Sequence, residues 1–229
     1  MYIFYDWTFW VFMIPAMLLG LWAQAKVSSA YEKYSKVKLS NGITGYDAAR
    51  AILNANGLHH VEIERIGGQM TDHFDPRKNV VRLSAAVYDT ASVAAVGIAA
   101  HECGHAVQYA KNYSPRKVRG ALVGVTNFSS MFSMLFVIMG VLFSFPPIAY
   151  FGVALFAIVA LFQLVTLPVE FNASRRAIDA LEGSGAFKES ELDGVDRVLT
   201  AAALTYVAAL VSAVLQLLRL LVIARNSDR

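Results

Sequence analysis

The pentad His101-Glu102-Cys103-Gly104-His105 gathers the residue types in this chain best suited to chemistry. On an α-helix, residues four apart share a face, so His101 and His105 can offer two imidazole nitrogens to one metal ion, with Glu102 beside them. Zinc held in this way lowers the pKa of a bound water towards ~7 and polarises a carbonyl, while an adjacent glutamate acts as general base and then passes the proton on. Peptide-bond hydrolysis needs those parts together, and the spacing predicts one catalytic Zn2+. The preceding run Ser92–Ala100 is helix-compatible and rich in small residues, which permits close packing around a buried site. Burying Glu102 in so apolar a helix without a function would be costly. Cys103 diverges from the two histidines on the helix and is expected to be packing.

Catalytic zinc usually takes three protein ligands and leaves one position open. Cys103 is the only cysteine, which excludes an internal disulfide framework and a set of zinc-binding thiols, so the third ligand is sought among downstream acids. Two compete. Glu170 is expected to begin a polar helical stretch just after an apolar one, from where it can dip towards the pentad; its plain alternative is an acid at a helix N-terminus. Asp193, in Leu192-Asp193-Gly194, has the aspartate-glycine pairing of site-2 intramembrane proteases. That reading needs the pentad in a full transmembrane helix, yet the apolar run before it is bounded by Tyr88, Asp89 and Thr90 and is too short to span. The Asn and Pro that normally precede the aspartate-glycine pair are also missing. Glu170 is favoured.

The elements that must position these residues belong to a membrane protein. The chain is 56% hydrophobic and 16% charged, outside ordinary soluble composition. A spanning helix takes roughly 20 mostly apolar residues. Trp7–Gln24, Ala121–Ser144, Ile148–Val169 and Ala201–Ala224 qualify, with Arg219 inside the last. Phe145-Pro146-Pro147 parts the second and third as a short hairpin turn. The first segment is expected to be an uncleaved anchor: Ala23-Gln24-Ala25 looks like a processing site, but Asp6 precedes the segment and no Lys or Arg does. Positive charge begins after it, at Lys26, Lys33, Lys36 and Lys38, and returns at Lys111, Arg116, Lys117 and Arg119, then at Arg175, Arg176, Lys188 and Arg197. The positive-inside rule places both polar segments at the cytoplasmic face, against the bias of Arg225 and Arg229.

The expected organisation is therefore mainly α: an anchor over 1–24, a small α+β subdomain with the pentad helix over 25–120, a transmembrane hairpin over 121–169, a helix and loop with the third ligand over 170–200, and an apolar helix over 201–229. Within the subdomain, Tyr46–Asn56 has helical spacing and ends at Gly57, while Leu58–Ile66 and Val80–Leu83 are β-like. Net charge is only +3 with no basic block, so nucleic acid is not an expected partner. The expected partners are the lipid bilayer and a protein or peptide substrate; no signal bears on oligomeric state.

Several stretches together resemble the YugP-like neutral zinc metallopeptidases of bacterial membranes, over nearly the whole length. They are Thr71-Asp72-His73-Phe74-Asp75-Pro76-Arg77, Val81-Arg82-Leu83-Ser84, the pentad followed by Ala106 and Gln108, Glu170–Ala177, and Ala201–Ala209. The resemblance implies His101, His105 and Glu170 as zinc ligands, Glu102 as catalytic base, and a bacterial plasma-membrane location. In other glutamate-liganded membrane proteases an Asp often lies four residues after the ligand glutamate and supports a histidine. Here that place holds Ser174, so the support is expected from Ser174, Asn172 or another acid.

Two further candidates carry lesser weight. His73 is a possible oxyanion stabiliser or substrate contact, against a plain turn histidine. Tyr206 is a possible transition-state hydrogen-bond donor, against an interhelical hydrogen bond. Arg175 and Arg176 are read as facing lipid headgroups or an acidic helix face sooner than a substrate carboxylate. Val80–Leu83 is the expected edge strand for an extended peptide. The function expected is a zinc endopeptidase; the alternatives are a zinc-stabilised scaffold that does not cut, and a site-2-type enzyme using Asp193. An intact Glu102 favours an enzyme, since a scaffold needs the histidines but not the base.

Overall fold

The computed structural model describes residues 7–226. Asp6, used above for the anchor, and Arg229, used for orientation, lie outside them. In chain order the elements are a π-helical segment Phe9–Met13, α1 (Ile14–Ser35), α2 (Gly45–Ala55), β1 (Glu62–Ile66), β2 (His73–Asp75), β3 (Val80–Ser84), α3 (Ala85–Tyr88), α4 (Val93–Ala110), α5 (Ser114–Leu142), α6 (Pro146–Gly183) and α7 (Glu189–Asn226). The chain divides into two compact units, one formed by Ala25–Ser114 with Val169–Ala203 and the other by the rest of the chain.

In the first unit, α2 begins with a reciprocal cap. Thr44 Oγ1 accepts from the Asp47 backbone N–H at 3.2 Å, and Asp47 Oδ2 accepts from that of Thr44 at 3.0 Å, satisfying two donors that a helix start otherwise leaves open. The apolar face so launched, Ala48, Ala49, Ile52 and Leu53, is buried in a core with Val81, Leu83, Val96, Ala100 and Leu181. Ser92 caps α4 with a single bond, its Oγ accepting from the Ala95 N–H at 3.2 Å. The small residues of α4 allow its neighbours to come very close. A Cβ on Gly104 would lie 2.5 Å from the Ala173 carbonyl oxygen of α6, so only glycine permits that approach.

The sheet has three strands in the order β1-β3-β2, with β1 parallel and β2 antiparallel to β3. Strand β3 is therefore central, paired on both sides, and the expectation that Val80–Leu83 forms the edge is corrected. The error has a physical source: β2 is only three residues long and lies in a segment whose Asp and Pro content suggests a turn. Likewise β1 begins at Glu62, because Leu58–Val61 forms a turn after Gly57. Arg82 ties the strands together, bonding Glu64 of β1 at 2.7 Å and Asp75 of β2 at 2.9 Å.

Among the described residues, four helices are long and apolar enough to cross a membrane: Phe9–Ser35, Ser114–Leu142, Pro146–Gly183 and Glu189–Asn226. The second unit draws on all four. Its α5 and α6 meet through glycines: a Cβ on Gly152 would lie 2.6 Å from the Ser133 carbonyl oxygen. Val137, Ala149, Val153, Leu220 and Ala224 form its apolar core. Leu135, Phe151 and Leu161 remain exposed along these helices, apolar surface of the kind that lipid covers. Arg219 is buried, with its guanidinium 5.6 Å from the centre of the Phe9 ring, a contact by which an apolar helix can carry a cation. Pro146 opens α6 directly after the turn that ends α5.

Candidate metal centre

The middle of α4 carries the pentad, and four-residue spacing brings the rings of His101 and His105 to a centroid separation of 4.7 Å. Facing them is Glu170, which lies well inside α6. It therefore does not begin a helix, and the macrodipole explanation of its charge does not apply. Its Oε2 is 3.4 Å from Nε2 of His101 and 3.4 Å from Nε2 of His105, with the glutamate side chain 3% exposed and each histidine 14%. The three ligand atoms all lie within 4.8 Å of one another.

Those separations test whether zinc fits. Tetrahedral ligands held roughly 2.0–2.1 Å from a common ion stand about 3.4 Å apart. A direct N–H···O bond would have a typical length of about 2.9–3.0 Å. The two contacts of 3.4 Å match the tetrahedral edge, and the donor set of two imidazoles and a carboxylate suits zinc.

Each histidine is held from behind at its other nitrogen. His101 Nδ1 is 3.1 Å from Ser174 Oγ, and His105 Nδ1 is 3.1 Å from Gln108 Oε1. Ser174 is thus one of the supports expected from the sequence. Asn172 serves indirectly: its Oδ1 accepts from Gln108 Nε2 at 3.1 Å and from Arg176 Nε at 2.8 Å. Arg176 accordingly has its Nε turned to a neighbour on its own helix. Gln108 had a legible signal, since three residues beyond His105 is the same helix face. Burial lowers the tendency of His105 to protonate, but the neighbouring carboxylates of Glu170 and Glu102, together with the Gln108 oxygen, outweigh it, leaving the pKa raised.

Glu102 is 9% exposed, and its Oε2 accepts the backbone N–H of Phe74 at 3.0 Å. A side-chain pattern cannot announce such a contact, because the donor is main chain. It brings strand β2 against α4, where the Phe74 ring lies 5.9 Å from that of Tyr109. Cys103 is fully buried with its Sγ 3.6 Å from the Ala49 carbonyl oxygen, and burial pushes the thiol pKa up, so it stays protonated.

The other candidates lie elsewhere. His73 is exposed, its Nδ1 2.7 Å from the Thr71 carbonyl oxygen and its Nε2 3.4 Å from Arg82 Nη1. Asp193 pairs with Arg197 at 3.0 Å on an exposed face of α7, apart from the metal-ligand group. Tyr206 lies on α7 among the residues of the apolar helical unit.

Comparison with known proteins places the chain in a family. The chain is 45% identical over 213 residues, 93% of its own length and 95% of the relative's, to the protein named "Putative membrane protease YugP" of Bacillus subtilis (strain 168). No solved structure matches the chain. The family model described as "Putative neutral zinc metallopeptidase" matches residues 9–225, which takes in both faces of the centre, the α4 histidines and the α6 glutamate, and to that family the chain belongs.

Proposed function

We propose that this protein is a membrane-embedded zinc endopeptidase, with His101, His105 and Glu170 as the metal ligands and Glu102 as the general base. The observation that carries the reading is the pair of 3.4 Å separations between a buried carboxylate oxygen and two imidazole nitrogens. A zinc ion at that position would supply Lewis acidity, acidifying water and polarising the scissile carbonyl.

The protein's own groups account for the remaining work. Phe74 N–H fixes one oxygen of Glu102, which leaves Oε1 to take a proton from the attacking water. The same oxygen then returns the proton to the amine nitrogen as the C–N bond breaks. Because β2 is an outer strand and lies against Glu102, an extended peptide paired along β2 would run past the base. His73, on that strand, and Tyr206 are candidate contacts for the substrate or the developing oxyanion. The charge bias of the polar segments favours a site at the cytoplasmic face of a bacterial plasma membrane, acting on membrane proteins or their tails.

The test is cleavage of an unfolded protein by the detergent-purified chain, comparing wild type with Glu102→Gln at matched zinc content. Loss of cutting by at least ~100-fold with zinc retained is expected, since general-base removal commonly costs 10²–10⁴-fold. Equal cutting by both would reject Glu102 as the base. Zinc bound tightly by both, with no cutting of any substrate or captured partner, would favour the scaffold.

A further inference from the structure

Gln108 is completely buried, and which way its amide faces bears on the metal centre. A glutamine amide has an accepting oxygen and a donating nitrogen, and the end that meets His105 decides which ring nitrogen carries the proton. Three neighbouring groups determine that choice. The Val169 carbonyl oxygen, 2.7 Å away, only accepts, so Gln108 Nε2 must face it. Asn172 Oδ1 is bonded at 2.8 Å by Arg176 Nε, which only donates, so Asn172 presents its oxygen there. That same oxygen lies 3.1 Å from Gln108, which again demands the nitrogen of Gln108.

Oε1 is therefore the atom left for His105 Nδ1 at 3.1 Å, and an oxygen that only accepts requires Nδ1 to hold the proton. The Glu170 carboxylate also only accepts, but at 3.4 Å from Nε2 it is farther than the 3.1 Å from Nδ1 to Gln108 and beyond the usual N–H···O length, so the proton of the neutral ring goes to Nδ1 and Nε2 keeps its lone pair. His101 is different. Its Nδ1 meets the Ser174 hydroxyl, which can donate or accept and so imposes no tautomer.

We propose that Gln108, oriented by Asn172, Arg176 and the Val169 carbonyl, is a positioning residue that commits His105 to its metal-binding tautomer before any metal arrives. The two ligand histidines are thereby unequal, one preset and the other set on loading. This inference rests on the reading of His101, His105 and Glu170 as a zinc site.

The test uses the full chain in detergent. Zinc affinity is read by chelator competition, and the histidine tautomers of the zinc-free protein by 15N NMR at a pH where the rings are neutral. Wild-type His105 is expected to be the Nδ1–H tautomer, with His101 mixed. Gln108→Leu should lose the His105 preference and weaken zinc binding by about 10–100-fold, the usual effect of losing such a support. Ser174→Ala should leave the His105 tautomer unchanged. Asn172→Asp keeps the accepting oxygen, and Asn172→Leu leaves the Val169 carbonyl facing Gln108 Nε2, so both should preserve the His105 tautomer; the wild-type tautomer itself carries the test should Gln108→Leu fail to fold. A mixed or Nε2–H His105 in wild type, or Gln108→Leu with wild-type zinc affinity, would overturn the inference. Wild-type protein that binds no zinc would overturn the metal-site reading itself, a distinguishable result.

Discussion

Glu102 and Glu170 are both buried carboxylates, and their neighbours assign them different work. Glu170 directs one oxygen at two imidazole nitrogens, each 3.4 Å away, whereas Glu102 is anchored by a main-chain N–H from the neighbouring strand. The first arrangement suits a cation between the groups, and the second suits the proposed role of Glu102 as a base, with one oxygen fixed by main chain. Glu170→Ala is therefore expected to reduce zinc affinity by more than about 100-fold, beyond the range for groups behind the ligands. Asp193→Asn should leave it unchanged, because Asp193 is occupied with Arg197 on an exposed surface. Chelator competition on both variants decides the matter, and zinc lost from Asp193→Asn but kept by Glu170→Ala would restore the site-2-type alternative.

Among the elements, the close contact of α4 with α6 at Gly104 and Ala173 sets the spacing between the two histidines and Glu170. At Gly104 a side chain would meet backbone, 2.5 Å from the Ala173 carbonyl oxygen, which cannot swing aside as a flexible side chain can. Gly104→Val should push the helices apart, destabilise the fold by about 1–3 kcal/mol as overpacking does, and weaken zinc binding in parallel. Thermal melting with and without zinc would detect both effects, and an unchanged melting temperature would count against the tight contact. Strand β2 matters at the same scale, because its Phe74 N–H holds Glu102. Its Asp75 carboxyl is kept below the ordinary range first by the hydrogen bond from Arg82, then by the Arg77 backbone N–H, while Glu64 shares the same guanidinium. A lowered folded pKa contributes stability above the unfolded pKa, and that contribution is lost as pH falls through the folded value. Protection of the β2 amides against hydrogen exchange, taken relative to the intrinsic rate at each pH, should hold from neutral pH down to the ordinary carboxylate range and fall below it, with Asp75→Asn abolishing that acid step.

For the whole molecule, four apolar helices and clusters of Lys and Arg in the polar segments make the membrane orientation testable. The native thiol helps, since Cys103 is fully buried and should give little background labelling. In intact cells, a cysteine replacing exposed Gln69 should react only with membrane-permeant reagents. One replacing Ser144, in the turn between α5 and α6, should react with impermeant ones. The opposite pattern would put the candidate site on the outer face.

Local periodicity alone was enough to single out the candidate metal-binding pair and the four apolar spans, since a shared helix face and a run of ~20 apolar residues are properties of contiguous sequence. The same holds for α2, whose spacing and cap lie within one short segment. The third ligand was narrowed to two acids, and the fold brings one of them, Glu170, to the histidines. The order of the strands, the Phe74 contact with Glu102 and the wiring of Gln108 to Arg176 were decided only in three dimensions. Each depends on a main-chain group or a partner from a distant segment, and neither leaves a period in the sequence. A three-residue strand such as β2 has too few residues to show alternation, so its place at the edge, beside Glu102, exists only once β1 and β3 have paired.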